Sequence, residues 1–242
     1  MQPEMKSKVI KETKKEYPQG IEANGTDALR FTFAALATPG RDIRFDSNRL
    51  TGYRNFCNKI WNASRFVLTQ SENYDSTSDY TLTTADHWIQ AQLNITIDLL
   101  HKHINDFRFD LASNLLYEFI WHEFCDWYIE LAKTNLITYK DNKQLTQGTL
   151  HTLTTTLEII LRMTHPFMPY ITEEIWQMLK PICGIDADSI MLQEFPNSDD
   201  KIISEESTKE IQWMKDVTSA IRNIRGEMNI TPSIKISVLL NK

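Results

Sequence analysis

Glycine is scarce in this 242-residue chain, with only 7, and neither Gly-x-Gly-x-x-Gly nor Gly-x-x-x-x-Gly-Lys occurs. Loops that cradle phosphates with backbone N–H groups are therefore missing in any recognisable form. Cysteine is scarcer still. Cys57, Cys125 and Cys183 lie far apart with no Cys-x-x-Cys pair, which excludes a disulfide framework or a zinc knuckle and fits a reducing cytosol. No run approaches the roughly 20 uninterrupted apolar residues of a membrane helix, and Met1 to Tyr17 is Lys-rich and polar rather than signal-like. A cytoplasmic protein without a membrane partner is expected. A basic excess is missing as well. The formal net charge of -6 argues against indiscriminate polyanion binding, so any contact with nucleic acid has to be local. No Ser/His/Asp or Cys/His constellation has local support, and no catalytic residue is assigned.

What is present is a core-forming composition, 41% hydrophobic and 10% aromatic, enough for one large or two small domains. The spacing predicts a charged connector over Met1–Tyr17 and a short apolar helix capped by Thr26 or Asp27 and ending at Ala37 before Pro39-Gly40. A longer helix runs from Ser47 to Gln70, with Asp46 or Ser47 as its cap. Thr83 and Asp86 have capping-box spacing before a helix to His103, and Phe109–Ile137 carries the longest apolar pattern, with Leu116, Ile120, Trp127 and Leu131 near helical spacing. Gln144–Met163 reads as its antiparallel partner. The run His165-Pro166-Phe167-Met168-Pro169 breaks that helix, and Thr172–Leu179 resumes it. Ile182–Asp200 is irregular, Ser207–Met228 forms a last helix, and Ile234–Leu240 alternates as a strand would. Short connections between long helices favour an antiparallel bundle. A lone terminal strand needs partners, so the start of a small α/β module is expected there.

The helix Ser47–Gln70 is anomalous in charge. It holds Arg49, Arg54, Lys59 and Arg65 and no Asp or Glu, inside a chain that is net acidic. Phe56, Ile60, Ala63 and Val67 fall on one face, while Arg54, Asn58, Asn62 and Arg65 share another. Arg and Lys neutralise phosphates, Asn pairs with base edges, and Tyr53 or Trp61 offers a ring for stacking, a combination suited to single-stranded RNA. A plain solvated face is the other reading, although such faces usually mix acids among their bases.

Other motifs carry less. His122-Glu123-Phe124-Cys125-Asp126 has a His-Glu-x-x-His outline, but Asp126 stands where the second His belongs, and no metal site is assigned. His165 precedes a proline in a helix break, where a structural role is expected. Adjacent Glu173 and Glu174 diverge and suit the helix N-terminal dipole. Met5-Lys6-Ser7-Lys8 has the wrong order for a Lys-Met-Ser-Lys-Ser loop.

Gly25-Thr26-Asp27-Ala28-Leu29-Arg30-Phe31, Gly40-Arg41-Asp42-Ile43, Gly52-Tyr53-Arg54-Asn55-Phe56-Cys57-Asn58-Lys59-Ile60-Trp61-Asn62-Ala63, His165–Pro169 with Thr172-Glu173-Glu174-Ile175-Trp176, and Ile221-Arg222-Asn223-Ile224-Arg225-Gly226-Glu227-Met228 together resemble, in order, the bacterial-type valyl-tRNA synthetase family. The resemblance implies a mainly α fold, an antiparallel helix bundle of the class I synthetase anticodon-binding type with the start of a small α/β module at the C-terminus. It divides the chain into a connector and stem-contact helix at 1–46, a helical anticodon-binding domain at 47–206, and a truncated C-terminal module at 207–242. Arg54, Asn55, Phe56, Asn58, Lys59, Asn62 and Arg65 are its implied tRNA-binding residues. The implied partners are tRNA(Val), through its anticodon loop, and the catalytic and editing domains of the same parent, which is expected to be monomeric. That parent uses ATP with Mg; the family's His-x-Gly-His and Lys-Met-Ser-Lys-Ser sequences do not occur here, so no cofactor is expected in this chain. Two alternatives are an isoleucyl-type equivalent and a helical scaffold that presents its basic helix to an acidic protein.

Overall fold

The computed structural model describes residues 3–40, 45–199, 204–231 and 233–239. Arg41, Asp42 and Ile43 of the motifs above, together with Met1, Asp200 and Leu240 at the ends of expected segments, lie outside the described residues. Helix α1 (Pro3–Glu16) is followed by α2 (Thr26–Leu36) and α3 (Ser47–Gln70). The cap of α2 is Gly25, at a φ of 88° that favours glycine; neither Thr26 nor Asp27 fills that role, and Asp27 is used elsewhere. Helix α3 has the expected bounds, and the Asp46 carboxylate accepts from the Asn48 N–H at 2.9 Å.

Helix α4 (Thr84–Asn105) opens with the expected capping box, and α5 (Phe109–Glu118), a π-helical stretch (Phe119–Tyr128) and α6 (Ile129–Thr138) then run on without a break. The π-helical stretch is the main departure from the expected periodicity. Leu116, Ile120, Phe124, Tyr128 and Ala132 are all buried, at steps of four residues. An α-helix turns about 40° past a full circle every four residues, so such a row would spiral away from the core; the wider i→i+5 ladder holds it on one side. Trp127 and Leu131 consequently lie only partly buried at the margin of the core.

Helix α7 (Lys143–Thr164) is the most deeply buried element and packs against α3, α4 and α6. Its interior face is rich in threonine, and Thr152 and Thr154 return their hydroxyl protons to the carbonyls of Gly148 and Leu150. Helix α8 (Pro169–Leu179) starts on Pro169, where a missing N–H has no intrahelical bond to lose. Helix α9 (Glu205–Glu227) docks on α4 mainly through its first half: Ile211 is buried, and Lys215 reaches Glu123 at 2.6 Å between the rings of Trp88 and Trp127.

The C-terminal expectation is corrected by the structure. No strand occurs among the described residues, and residues 233–239 have no regular secondary structure. Ile234 and Leu239 are 53% and 98% exposed, and no neighbouring edge pairs with the segment. Instead, Arg225 donates to the carbonyls of Thr231 and Ile234 and folds the chain back on the end of α9. The fold is a mainly α helix bundle without an α/β module among the described residues.

Asp86 ties three parts of the bundle together. Its carboxylate accepts from the Thr83 N–H and hydroxyl at 2.9 and 2.8 Å, from Tyr128 at 2.6 Å and from Thr149 at 3.3 Å. Burial nevertheless raises its pKa above the ordinary value, against the pull of those donors. Because the folded value lies above the unfolded one, the Asp86 contribution to stability is complete below the unfolded value and is lost as pH rises through the folded one. Urea midpoints followed from acid to neutral pH should show this decline in the wild type, and Asp86→Asn should remove it.

Two helical glycines should respond in opposite directions. A Cβ on Gly148 would overlap the Thr81 carbonyl, whereas one on Gly52 meets nothing within 4 Å. Gly52→Ala should raise the unfolding free energy by about 0.5–1 kcal/mol. Gly148→Ala should lower it by about 1–3 kcal/mol, measured by urea denaturation.

Candidate nucleic-acid interface

Helix α3 separates its faces as its sequence spacing requires. Phe56, Ile60, Ala63 and Val67 are buried, and Arg54, Asn55, Asn58, Asn62 and Arg65 are exposed. Among the described residues, the side chains of Arg54 and Arg65 have no ion pair and those of Asn55, Asn58 and Asn62 no hydrogen-bond partner. The stripe therefore presents guanidinium and amide groups whose donors and acceptors are free.

Two of the sequence-assigned residues are placed differently. Phe56 is 0% exposed, packed among the rings of Phe31, Tyr117 and Trp121, and offers no face at the surface. Lys59 is half-buried; its ammonium lies 2.6 Å from Asp126 and over the Trp121 ring. Of the two candidate stacking rings, Tyr53 is held edge-on by Phe31 and Tyr117, and burial pushes its hydroxyl pKa up. Trp61 remains 36% exposed.

The proline break and α2 explain one another. Asp27 on α2 accepts from the backbone N–H groups of Tyr170 and Ile171 at 3.3 and 2.7 Å, and so caps α8 from another helix. Arg30, one turn on, donates to the carbonyls of Phe167 and Pro166 at 3.3 and 3.0 Å. The acid satisfies the N–H groups after the break and the base satisfies the carbonyls within it. His165 completes the corner through Nδ1 and the Thr172 hydroxyl at 2.8 Å, and burial lowers the pKa of its ring. Glu173 accepts from Gln177, from the Ser189 hydroxyl and from the Ile190 N–H, which makes it an anchor for the following loop rather than a dipole partner alone.

Around this corner α2, α3 and α8 enclose a cleft of about 450 Å³, lined by Arg54 and Asn58 on one side, Asn24 and Thr26 on another, and Tyr170. Tyr170, 66% exposed, was not among the residues singled out from sequence. Its only sequence signal is its position after a proline that starts a helix.

The reactive side chains are quiet. Burial pushes the thiols of Cys57, Cys125 and Cys183 up to about 11, 12 and 12. His122 contacts Asp126 at 3.4 Å, and Glu123 is held by Lys215. Among the described residues no three His, Cys, Asp or Glu side chains are grouped as a metal site, and no helix is long and apolar enough to cross a membrane.

The family described as the anticodon-binding domain of tRNA ligase matches residues 86–240. Helix α3 precedes that span and packs against α7 and α8 within it. Among solved structures, the fold is similar to that of Agrobacterium radiobacter K84 agnB2 LeuRS in its ternary complex with tRNA and LeuAMS, with a TM-score of 0.51 and 18% identity over 74% of this chain. The chain spans 20% of the length of that protein.

The clamp has a direct test. Asp27→Ala leaves two N–H groups at the start of α8 without their acceptor and should cost about 1–3 kcal/mol in urea denaturation. Asp27→Asn, which keeps an acceptor oxygen, should lose less.

Proposed function

The chain belongs to the anticodon-binding domain family of tRNA ligases, and on that premise we propose that it holds the anticodon loop of a tRNA against the exposed stripe of α3. The observation that carries this reading is the combination of free guanidinium groups at Arg54 and Arg65 with free amides at Asn55, Asn58 and Asn62, on a helix without a single acid. Arginine without an acidic partner keeps its charge available to phosphate, and amides offer both donors and acceptors to base edges. Lys59 contributes differently, as a positioning residue, since its ion pair with Asp126 ties α3 to the π-helical stretch. Phe56 supports the stripe from below.

The finer reading is that the parent is of the valyl type and the RNA is tRNA(Val). The run Arg54-Asn55-Phe56-Cys57-Asn58-Lys59 supports it, being closer to the valyl than to the isoleucyl pattern. In that setting this domain contributes positioning: it fixes one end of the tRNA so that the acceptor end reaches an active site elsewhere in the parent. Aminoacylation, with its ATP and Mg, is assigned to the parent, because the family's His-x-Gly-His and Lys-Met-Ser-Lys-Ser sequences do not occur in this chain.

Fluorescence anisotropy with a valine anticodon stem-loop, and with the same hairpin changed at its third anticodon base, where valine and isoleucine anticodons differ, tests both levels. The expected result is salt-dependent binding that weakens on the base change. Replacing Arg54 and Arg65 together with Ala should reduce the slope of log affinity against log salt by about 1.4, at roughly 0.7 for each phosphate contact to a single strand. An unchanged slope with an intact circular dichroism spectrum removes the stripe from the interface. Binding that ignores the third anticodon base leaves the domain function and removes the valyl assignment.

A further inference from the structure

We propose that the cleft between α2, α3 and α8 is a receptor for one unstacked base of the bound RNA loop, with Tyr170 as its stacking platform. This rests on the RNA-binding reading above and adds to it a second element and a defined pocket.

The cleft has about 450 Å³, within the range of small-ligand sites and suited to one nucleoside rather than to a duplex. Its walls carry the chemistry that reads an unpaired base. Tyr170 is 66% exposed, in contrast to the ring of Phe167 just before it, which is buried. Asn58 brings a free amide with two donors and one acceptor oxygen to the same space, and Arg54, one turn earlier on α3, brings a free guanidinium. Stacking, edge recognition and a cation for the adjoining phosphate are the three contacts by which proteins hold splayed single-stranded bases. The floor is made of Ala28, Cys57 and Ile171, an apolar base for an aromatic ligand. Asp27 also borders the cleft, but the residue is only 7% exposed and both carboxylate oxygens accept from the N–H groups of α8.

An aromatic-lined groove on the other side of the Pro166–Phe167 corner does not compete for this role. That groove of about 730 Å³ is lined by Phe33, Phe109, Phe167 and Phe195, and its polar side chains are already engaged. Arg30 is bonded to the carbonyls of Pro166 and Phe167, and His101 to that of Pro196. Its two polar side chains are thus committed to the backbone, and the rest of its lining is apolar.

The test uses the whole chain and a set of anticodon stem-loop hairpins in which each loop nucleotide in turn is made abasic. The wild type should lose about tenfold or more in affinity at one loop position, the loss expected for one stacked base. Tyr170→Ala and Asn58→Ala should each weaken binding of the intact hairpin, and Tyr170→Ala by a similar factor of about ten. Both should be less sensitive than the wild type to the abasic change at that same position, Tyr170→Ala the least sensitive, because part of the contact has already been removed. Tyr170→Phe keeps the ring and should bind as the wild type does. The altered side chains are exposed, and equal thermal midpoints exclude misfolding as the cause. Losses that simply multiply at every loop position overturn the pocket while leaving RNA binding by α3 in place. Failure of the wild type to bind any hairpin overturns the RNA-binding reading itself.

Discussion

Asp27 lies on α2 yet closes the start of α8, and this exchange of a cap between helices fixes the corner around which the candidate site is arranged. A helix that restarts immediately after a proline break has N–H groups with no local acceptor, and they must find one elsewhere or lose part of their stability. The acceptor comes from a residue 143 positions earlier. Arg30, on the same face of α2, performs the complementary service for the carbonyls of the break. Once those bonds are made, α2 has little freedom. Phe31 is then placed against Phe56, and α3 is carried into position with its apolar face turned inward. The free stripe of α3 and the exposed ring of Tyr170 come together as a consequence.

A second polar centre organises the other side of the bundle. Asp86 collects donors from its own helix end, from the π-helical stretch and from α7, so three elements share one buried carboxylate. The threonines of α7 serve the same economy on a smaller scale, keeping hydroxyl protons within the helix in an interior that is otherwise apolar. Exceptions are few: the hydroxyls of Ser113, Thr156 and Thr164 lack partners among the described residues.

Features whose cause is local were legible in the sequence. The bounds and the two faces of α3 follow from a cap residue and a helical period, and the Thr83–Asp86 box is a three-residue pattern. Features whose cause is distant were not. Nothing near Asp27 shows that it caps α8, and nothing near Lys59 shows that Asp126 neutralises it from 67 residues away. The His-Glu outline around residue 122 thus concealed an ion-pair partner in the place of a missing ligand. The π-helical register is invisible to a reading that assumes a period of 3.6, since the four-residue steps resemble an ordinary helix until they are followed for several turns. The terminal strand failed for a different reason. Alternation records which side chains are apolar, not whether another edge is present to pair with them.

The separation of charge has a kinetic meaning as well. With its acids kept off α3, and the acidic excess of the chain lying on other segments, the distribution of charge is uneven, and a polyanion is attracted more along α3 than over the acidic surfaces. For the nucleic-acid partner proposed above, approach toward α3 is favoured over approach toward the acidic surfaces, so orientation is sorted during diffusion, before any contact forms. On that reading, the acidic balance that at first argues against nucleic acid acts as the filter that makes a small basic stripe selective.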